Sequence, residues 1–440
     1  MKEKYRVSVI GFGYIGSVIG TVLADKGLPV VGLEKNERII AAVREGNTPF
    51  HEPGLDDLIR KVNGTGRLSI TNDLDGIKDC NVFIITVGTP LSEHFEADIS
   101  QISQAAKLIT PFITDESIVI IKSTVPPFTT RDIVYPILKE KANVRLAFSP
   151  ERLAEGKAIE EFRSIPIVVG GIDERSTNAV AEFWREVMGN EVIKVDDSVS
   201  AEMVKLADNL WIDLNIALAG ELAKLADKLH VDVLQIIRAA NSLPKGSSFV
   251  NILTPSIGVG GYCLTKDPWF VQSMGDKYGL ELRLPKAGRN VNDSMPEYYA
   301  SEIDAVLSTD GKNRGNKKIA VMGITFKNNT GDCRFTPTKP AIEQLIRLGY
   351  QVEICDPWTS KYDENMVTDR PVGKDVEKAM EGADCVAFFT GHNEFQQIPI
   401  RRIAELAKRN ALIFDGRMFF SPEKISEMFR YGLRYKGVGR

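Results

Sequence analysis

Histidine is scarce in this chain, with four residues, and cysteine is nearly so, with five. Cys80, Cys263, Cys333, Cys355 and Cys385 are odd in number and widely spaced, with no CxxC pair. That excludes a disulfide framework or a zinc cluster, so no metal is expected; it suits a reducing compartment and one reactive thiol. No apolar run reaches the ~20 residues that span a bilayer. Met1 is not followed by the apolar segment of a secretory signal, so no membrane association is expected and the cytoplasm is the default location. Excess positive charge is also lacking. Against 59 Asp+Glu stand 55 Lys+Arg, a formal charge of -4, which leaves no overall field to hold a nucleic acid.

What is present is ordinary for a globular protein: 43% hydrophobic and 26% charged residues, 36 Gly and 21 Pro, unlike disordered, collagenous or coiled-coil chains. At roughly 100–200 residues per domain, 440 residues predict two to four domains.

From residue 6 to about 121, short β-branched runs (7–10, 30–33, 82–87, 118–121) alternate with helix-like stretches such as 37–45. This is the signature of βαβ units and a parallel, doubly wound sheet. Between about Ser198 and Leu229 the apolar residues fall at helical spacing (Met203, Leu206, Leu210, Leu214, Leu218, Leu222, Leu225) with no proline. A helix of about thirty residues spans roughly 45 Å, more than one small domain covers, so it is expected to bridge domains or to pack against a second subunit as the centre of a homodimer. Residues 308–316 are polar, glycine-containing and aperiodic, a surface connection. Beyond them Lys318-Ile319-Ala320-Val321-Met322-Gly323 and Val352-Glu353-Ile354-Cys355-Asp356 repeat the opening pattern of strand, glycine, strand and acid. The expected class is α/β: two Rossmann-like domains with parallel sheets joined by a long central helix. The expected domains are 1–197, 198–307 and 317–440. The stretch 430–440 is basic and reads as a mobile end.

Gly11-Phe12-Gly13-Tyr14-Ile15-Gly16 follows one strand and Glu34 closes the next. Gly11 permits the tight turn, Gly13 lets a pyrophosphate approach the backbone, Gly16 lets helix and strand pack, and the helix N-terminus supplies N–H donors. Glu34 suits two ribose hydroxyls and would repel a 2′-phosphate; Lys35 and Arg38 weaken that repulsion without cancelling it. The cofactor predicted is NAD. Near Cys263, Gly258, Gly260 and Gly261 precede the thiol, and Lys266 and Asp267 follow it. Close-approach glycines and a nearby ammonium suit a nucleophilic thiolate.

With these segments in hand the chain resembles the UDP-glucose/GDP-mannose dehydrogenase family, from Val7 to about Arg417. The matching motifs, in order, are the glycine loop, Glu52-Pro53-Gly54-Leu55, Thr89-Pro90, Lys122-Ser123-Thr124-Val125-Pro126, Ser149-Pro150-Glu151-Arg152-Leu153-Ala154-Glu155-Gly156, Lys205-Leu206-Ala207-Asp208-Asn209, Gly260-Gly261-Tyr262-Cys263 and Phe326-Lys327. The resemblance implies two successive NAD-dependent oxidations at C6 of a nucleotide-linked sugar, with Cys263 adding to the aldehyde and a thioester released by water. It implies that Lys205 and Asn209, one helical turn apart, stabilise the oxyanion, and that Thr124, Glu155 and Asp267 handle protons through a water. Glu151 either shares that role or binds sugar. Tyr14, Ile15, Lys35, Thr89, Thr124 and Arg334 join the loop glycines and Glu34 as cofactor contacts. Arg152, Leu153, Asn251, Gly260, Arg289 and Lys327 join Lys205 and Asn209 as contacts of a UDP-sugar. The second Rossmann-like domain would hold UDP, with Lys327 and Arg334 in its nucleotide-binding segment able to pair with the substrate diphosphate, and the first would hold NAD.

Arg152 after Pro-Glu, Gly260-Gly261-Tyr262 before the cysteine, and Pro268-Trp269-Phe270 after Asp267 are similar to the branch oxidising UDP-N-acetylhexosamines, UDP-N-acetylmannosamine foremost. Lys266 is similar to the UDP-glucose branch. Phe335, where the family usually has an acid, and Met418, where an asparagine is common, depart from both. His51, His94 and His230 read as surface or loop residues, and His392 carries no strong signal. Two other readings stay open at this stage. A two-electron hydroxyacid dehydrogenase would need Lys205 and Asn209 but no thiol; a nucleotide-sensing protein would have lost the chemistry.

Overall fold

The computed structural model describes residues 4–48, 50–93, 95–310 and 313–440; His94 lies outside them. The chain forms two compact units. One runs to Asp208 and includes Trp269–Glu281; the other is Asn209–Pro268 with Leu282–Arg440.

The first unit is built on eight strands: β1 Val7–Ile10, β2 Val30–Leu33, β3 Leu68–Thr71, β4 Val82–Ile85, β5 Ile118–Ile121, β6 Arg145–Phe148, β7 Ile167–Gly171 and β8 Val192–Lys194. Their order is β3-β2-β1-β4-β5-β6-β7-β8. Unbroken apolar runs make such strands because both faces are covered. Val82, Ile84, Ile118 and Ile120 face one core; Phe83, Ile85, Val119 and Ile121 face the other. The expected parallel sheet is interrupted once. β7 runs antiparallel to β6, Ala147 opposite Gly171 and Phe148 opposite Gly170. A buried apolar run has the same composition in either direction, so its sequence carries no sign of this reversal.

The second unit carries a short hairpin, β9 Pro244–Lys245 with β10 Ser248–Phe249. Its six-stranded sheet comprises β11 Lys318–Met322, β12 Gln351–Cys355, β13 Val372–Gly373, β14 Cys385–Phe388, β15 Leu412–Asp415 and β16 Arg434–Gly437. All pairings are parallel, in the order β13-β12-β11-β14-β15-β16. The expectation of a mobile end is corrected here. β16 closes the sheet edge beside β15, Lys436 pairs with Asp227 at 2.6 Å, and the N–H of Gly439 donates to the same carboxylate at 2.9 Å. Backbone pairing, which needs no apolar side chain, orders this polar stretch.

The long helix spans Ser198–Leu229, 32 residues, as its periodicity predicts. Its buried apolar positions are mainly small, Ala201, Leu206, Ala217, Ala219, Ala223 and Ala226, and Glu202, Lys205, Asn209 and Asp213 are buried among them. Met203, Leu218 and Leu225, apolar positions of the predicted stripe, are exposed instead.

Candidate functional site

In the first unit the sheet order reverses at β1, the place where α/β sheets open a crevice. Gly11 there has φ +86 and donates its N–H to the Leu33 carbonyl at 2.8 Å. A Cβ on Gly16 would lie 2.0 Å from the Gly11 carbonyl oxygen and 2.8 Å from Thr86 Oγ1, so the helix Tyr14–Asp25 starts against the loop only because residue 16 is glycine. A Cβ on Gly13 would meet nothing within 4 Å among the described residues, and Gly13 caps this helix with no side-chain acceptor. Glu34 sits behind the turn: Oε2 accepts the Phe12 N–H at 2.7 Å, and Oε1 accepts the N–H groups of Lys35 and Asn36, both at 2.9 Å. An open cradle, a helix N-terminus without a side-chain cap and a carboxylate at the end of β2 fit a dinucleotide. Lys35 is exposed, and Ile15 packs against the core.

The strands beyond β1 carry the other candidates of this unit. Thr89 donates its hydroxyl to the Thr124 carbonyl at 2.7 Å, joining the β4 and β5 loops. Glu151 and Lys205 are both buried and pair at 3.3 Å; the same carboxylate accepts the N–H of Leu153. Arg152 is drawn to Asp208 at 2.9 Å. Leu153 packs against the core, and Glu155 is half-buried on the segment that precedes the helix Ala158–Ser164.

In the second unit Cys263 is exposed, whereas Cys333, Cys355 and Cys385 are buried. Its carbonyl accepts the N–H of Lys266 at 3.1 Å and of Asp267 at 2.9 Å, which turns the chain into the helix Asp267–Lys277. Asp267 is fully buried, with Lys266 Nζ at 2.5 Å and Asn209 Nδ2 donating at 2.5 Å. The Lys266 ammonium also lies 5.5 Å from the Tyr262 ring centroid. A buried carboxylate is kept only by partners of this kind. The cysteine loop is held tightly: Gly261 donates its N–H to the Arg334 carbonyl at 3.0 Å, and Gly260 lies against Phe326 and Pro337. Arg289, buried, bonds Asp213 at 2.7 Å and the Leu264 carbonyl at 3.3 Å, so it reaches the loop through its backbone. Asn251 is exposed, its carbonyl accepting from Asn215 at 2.6 Å. The Lys327 carbonyl accepts from the hydroxyls of Thr325 and Thr330 at 2.9 and 3.1 Å, and the exposed Arg334 pairs with Asp332.

Family profiles match in three consecutive blocks. The NAD binding domain of the UDP-glucose/GDP-mannose dehydrogenase family covers residues 5–188, its central domain 199–294 and its UDP binding domain 320–422. The chain belongs to this family. It is an NAD-dependent nucleotide-sugar dehydrogenase, and its last domain is of the UDP-binding type. A UDP-N-acetyl-D-mannosamine dehydrogenase of Methanococcus maripaludis is 32% identical, covering 94% of this chain and 92% of its own. A UDP-glucose 6-dehydrogenase of Bacillus subtilis is 30% identical, with 99% and 97% covered. The structure of a UDP-D-ManNAc dehydrogenase from Pyrococcus horikoshii superposes with a TM-score of 0.87 at 30% identity, covering 99% of both chains.

Two features of this dehydrogenase escaped the sequence reading. Lys122, buried, donates to the Ser149 and Pro150 carbonyls, each at 3.2 Å, and lies 5.2 Å from the Trp184 ring centroid. Burial lowers its pKa to about 8, partly offset by Glu151. It sits one residue before the Ser-Thr pair of its motif, where a lysine reads as solvated until the strand is known to be central. His392, silent in the sequence, is fully buried. Its Nδ1 accepts the Asn329 N–H at 2.8 Å, which leaves the proton on Nε2 to donate to Asp356 at 3.2 Å. No local pattern announces that pair; its members lie at the ends of different strands.

Proposed function

We propose that the enzyme carries out a four-electron oxidation of the C6 hydroxyl of a UDP-N-acetylhexosamine, UDP-N-acetylmannosamine foremost, to the uronic acid. The observation that carries this reading is the exposed Cys263 beside the buried Asn209–Asp267–Lys266 cluster. Bound NAD supplies a hydride acceptor for each of the two oxidations. The alcohol proton leaves by way of a water to Asp267, with Thr124 and Glu155 completing the proton path, while the Lys205 ammonium faces the developing alkoxide as a donor. Cys263 gives up its thiol proton to the same water path, its Sγ adds to the C6 aldehyde, and Lys205 and Asn209 stabilise the resulting oxyanion as donors. Loss of hydride from the thiohemiacetal leaves a thioester. Water then hydrolyses the thioester, with Thr124, Glu155 and Asp267 passing the proton and the thiol leaving. Glu151, tied to Lys205, sets the position of that ammonium. In this reading Lys327 and Arg334 hold the UDP diphosphate and Arg289 supports the cysteine loop, with product feeding polysaccharide synthesis in the cytoplasm.

We also propose a homodimer. Trp211, Leu218 and Leu225, seven residues apart on the long helix, are 51%, 48% and 56% exposed, an apolar stripe of the kind that a second copy covers.

The test counts NADH formed per sugar consumed with UDP-N-acetylmannosamine, UDP-N-acetylglucosamine, UDP-N-acetylgalactosamine and UDP-glucose supplied separately. Two NADH per N-acetylated sugar is expected. Two with UDP-glucose alone would move the substrate, which Lys266 and the Bacillus relative make the second reading. One NADH per sugar would remove Cys263 from the reaction.

A further inference from the structure

The Glu52-Pro53-Gly54-Leu55 motif has no part in the chemistry above, yet three distant segments of the first unit meet at its carboxylate. Glu52 is 5% exposed. Its Oε2 accepts the Tyr14 hydroxyl and the Gly156 N–H, the latter at 2.6 Å; its Oε1 accepts the Ala158 N–H at 2.8 Å. Tyr14 is the first residue of the helix behind the phosphate loop, and Gly156 follows Glu155 directly. The turn that presents Glu52 is fixed by Gly54 at φ +79 and by Leu55, which is fully buried. Phe50 meets the Tyr14 ring edge-on at 6.1 Å. Capping the helix Ala158–Ser164 would need only the two backbone amides. The Tyr14 bond is the part capping leaves unexplained, and burying a carboxylate to make it is costly.

We infer that Glu52 is a positioning residue that transmits occupancy of the phosphate loop to the segment bearing Glu155. A pyrophosphate at the helix N-terminus binds backbone N–H groups of its first turn. That restrains Tyr14, whose hydroxyl bears on Glu52, which in turn holds the peptide next to Glu155; the chain of contacts is continuous. Its bearing on turnover rests on the proposed role of Glu155. The coupling itself requires only that NAD binds the loop.

Hydrogen exchange of the full-length protein, with and without saturating NAD and without sugar, tests it. In the wild type, NAD is expected to slow exchange at residues 153–158 by about fivefold or more. Tyr14→Phe keeps both backbone bonds to Glu52 and therefore folds where Glu52→Ala risks not doing so. At NAD concentrations raised to saturation, checked by calorimetry, it is expected to show less than about twofold slowing there. Full slowing in Tyr14→Phe, or none in the NAD-bound wild type, overturns the inference. So does complete loss of NAD binding in the variant, since the ring would then act in the loop and not through Glu52. Coupling abolished by Tyr14→Phe in a protein that oxidises no UDP-sugar would leave this inference standing and remove the proposed function.

Discussion

A methyl group added at Gly260 measures how firmly the cysteine loop is held. Its Cβ would stand 2.4 Å from Phe326 Cβ, 2.8 Å from Pro337 Cδ and 3.0 Å from the Phe335 carbonyl oxygen. None of these atoms can swing aside: one is fixed to its backbone, one belongs to a proline ring and one is backbone. Restoring ordinary contact therefore needs about 1 Å of movement, which the loop must supply. Overpacking of this kind costs about 1–3 kcal/mol, a fall of roughly 2–12 °C in melting temperature at the usual ~2–4 °C per kcal/mol for a unit of this size. Misplacing a reacting group by about 1 Å costs about 10²-fold in rate. Gly260→Ala is thus expected to stay folded, to melt lower and to lose about a hundredfold in kcat, as followed by dye-monitored melting and NADH formation. Wild-type melting together with wild-type kcat would refute the tight packing of the loop and the need for it.

A Cβ at position 13 meets nothing within 4 Å among the described residues, so for Gly13→Ala the melting temperature should match wild type while NAD binding, read by calorimetry, weakens about tenfold or more as the methyl enters the pyrophosphate's space. Lys122 gives a pH signature. Its folded pKa of about 8 lies below the ordinary 10.5, so the folded chain pays for the charge below pH 8 and is relieved as pH rises to 10.5. At ~1.4 kcal/mol per pH unit the wild type should gain about 3 kcal/mol over that window relative to Lys122→Met, measured by urea unfolding at pH 7 and pH 10.5. A difference that does not change with pH would contradict the burial of the ammonium. Leu218→Glu, placing a charge in the exposed stripe, should give monomer mass in light scattering where wild type gives a dimer; a monomeric wild type would remove the dimer proposal.

Much of the fold was legible because its signals are local. The β1 to β5 runs, the phosphate-loop spacing and the 32-residue helix each declare themselves within a few turns of chain. What was hidden depends on partners distant in sequence. The reversal of β7 leaves no trace in composition, and β16 is a strand because β15 offers it a backbone edge. The pairing of His392 with Asp356 joins residues 36 positions apart. The candidate site divides the same way. Cys263, Lys205, Asn209 and Asp267 stand in motifs, whereas the placement of Arg334 against Asp332 and of Arg289 against Asp213 is set by neighbours that no spacing rule supplies.

The unequal burial of the thiols makes the protein its own reporter. Burial raises the pKa of Cys80 to about 11 and of Cys355 to about 12, and raises those of Cys333 and Cys385 as well, so an electrophile added to the native enzyme reads position 263. Cys80 lies in the first unit and the other three in the second. Brief alkylation during denaturation, followed by mass counting, would therefore register one added label when the first unit opens and three when the second does, resolving the order in which the units come apart without any introduced probe.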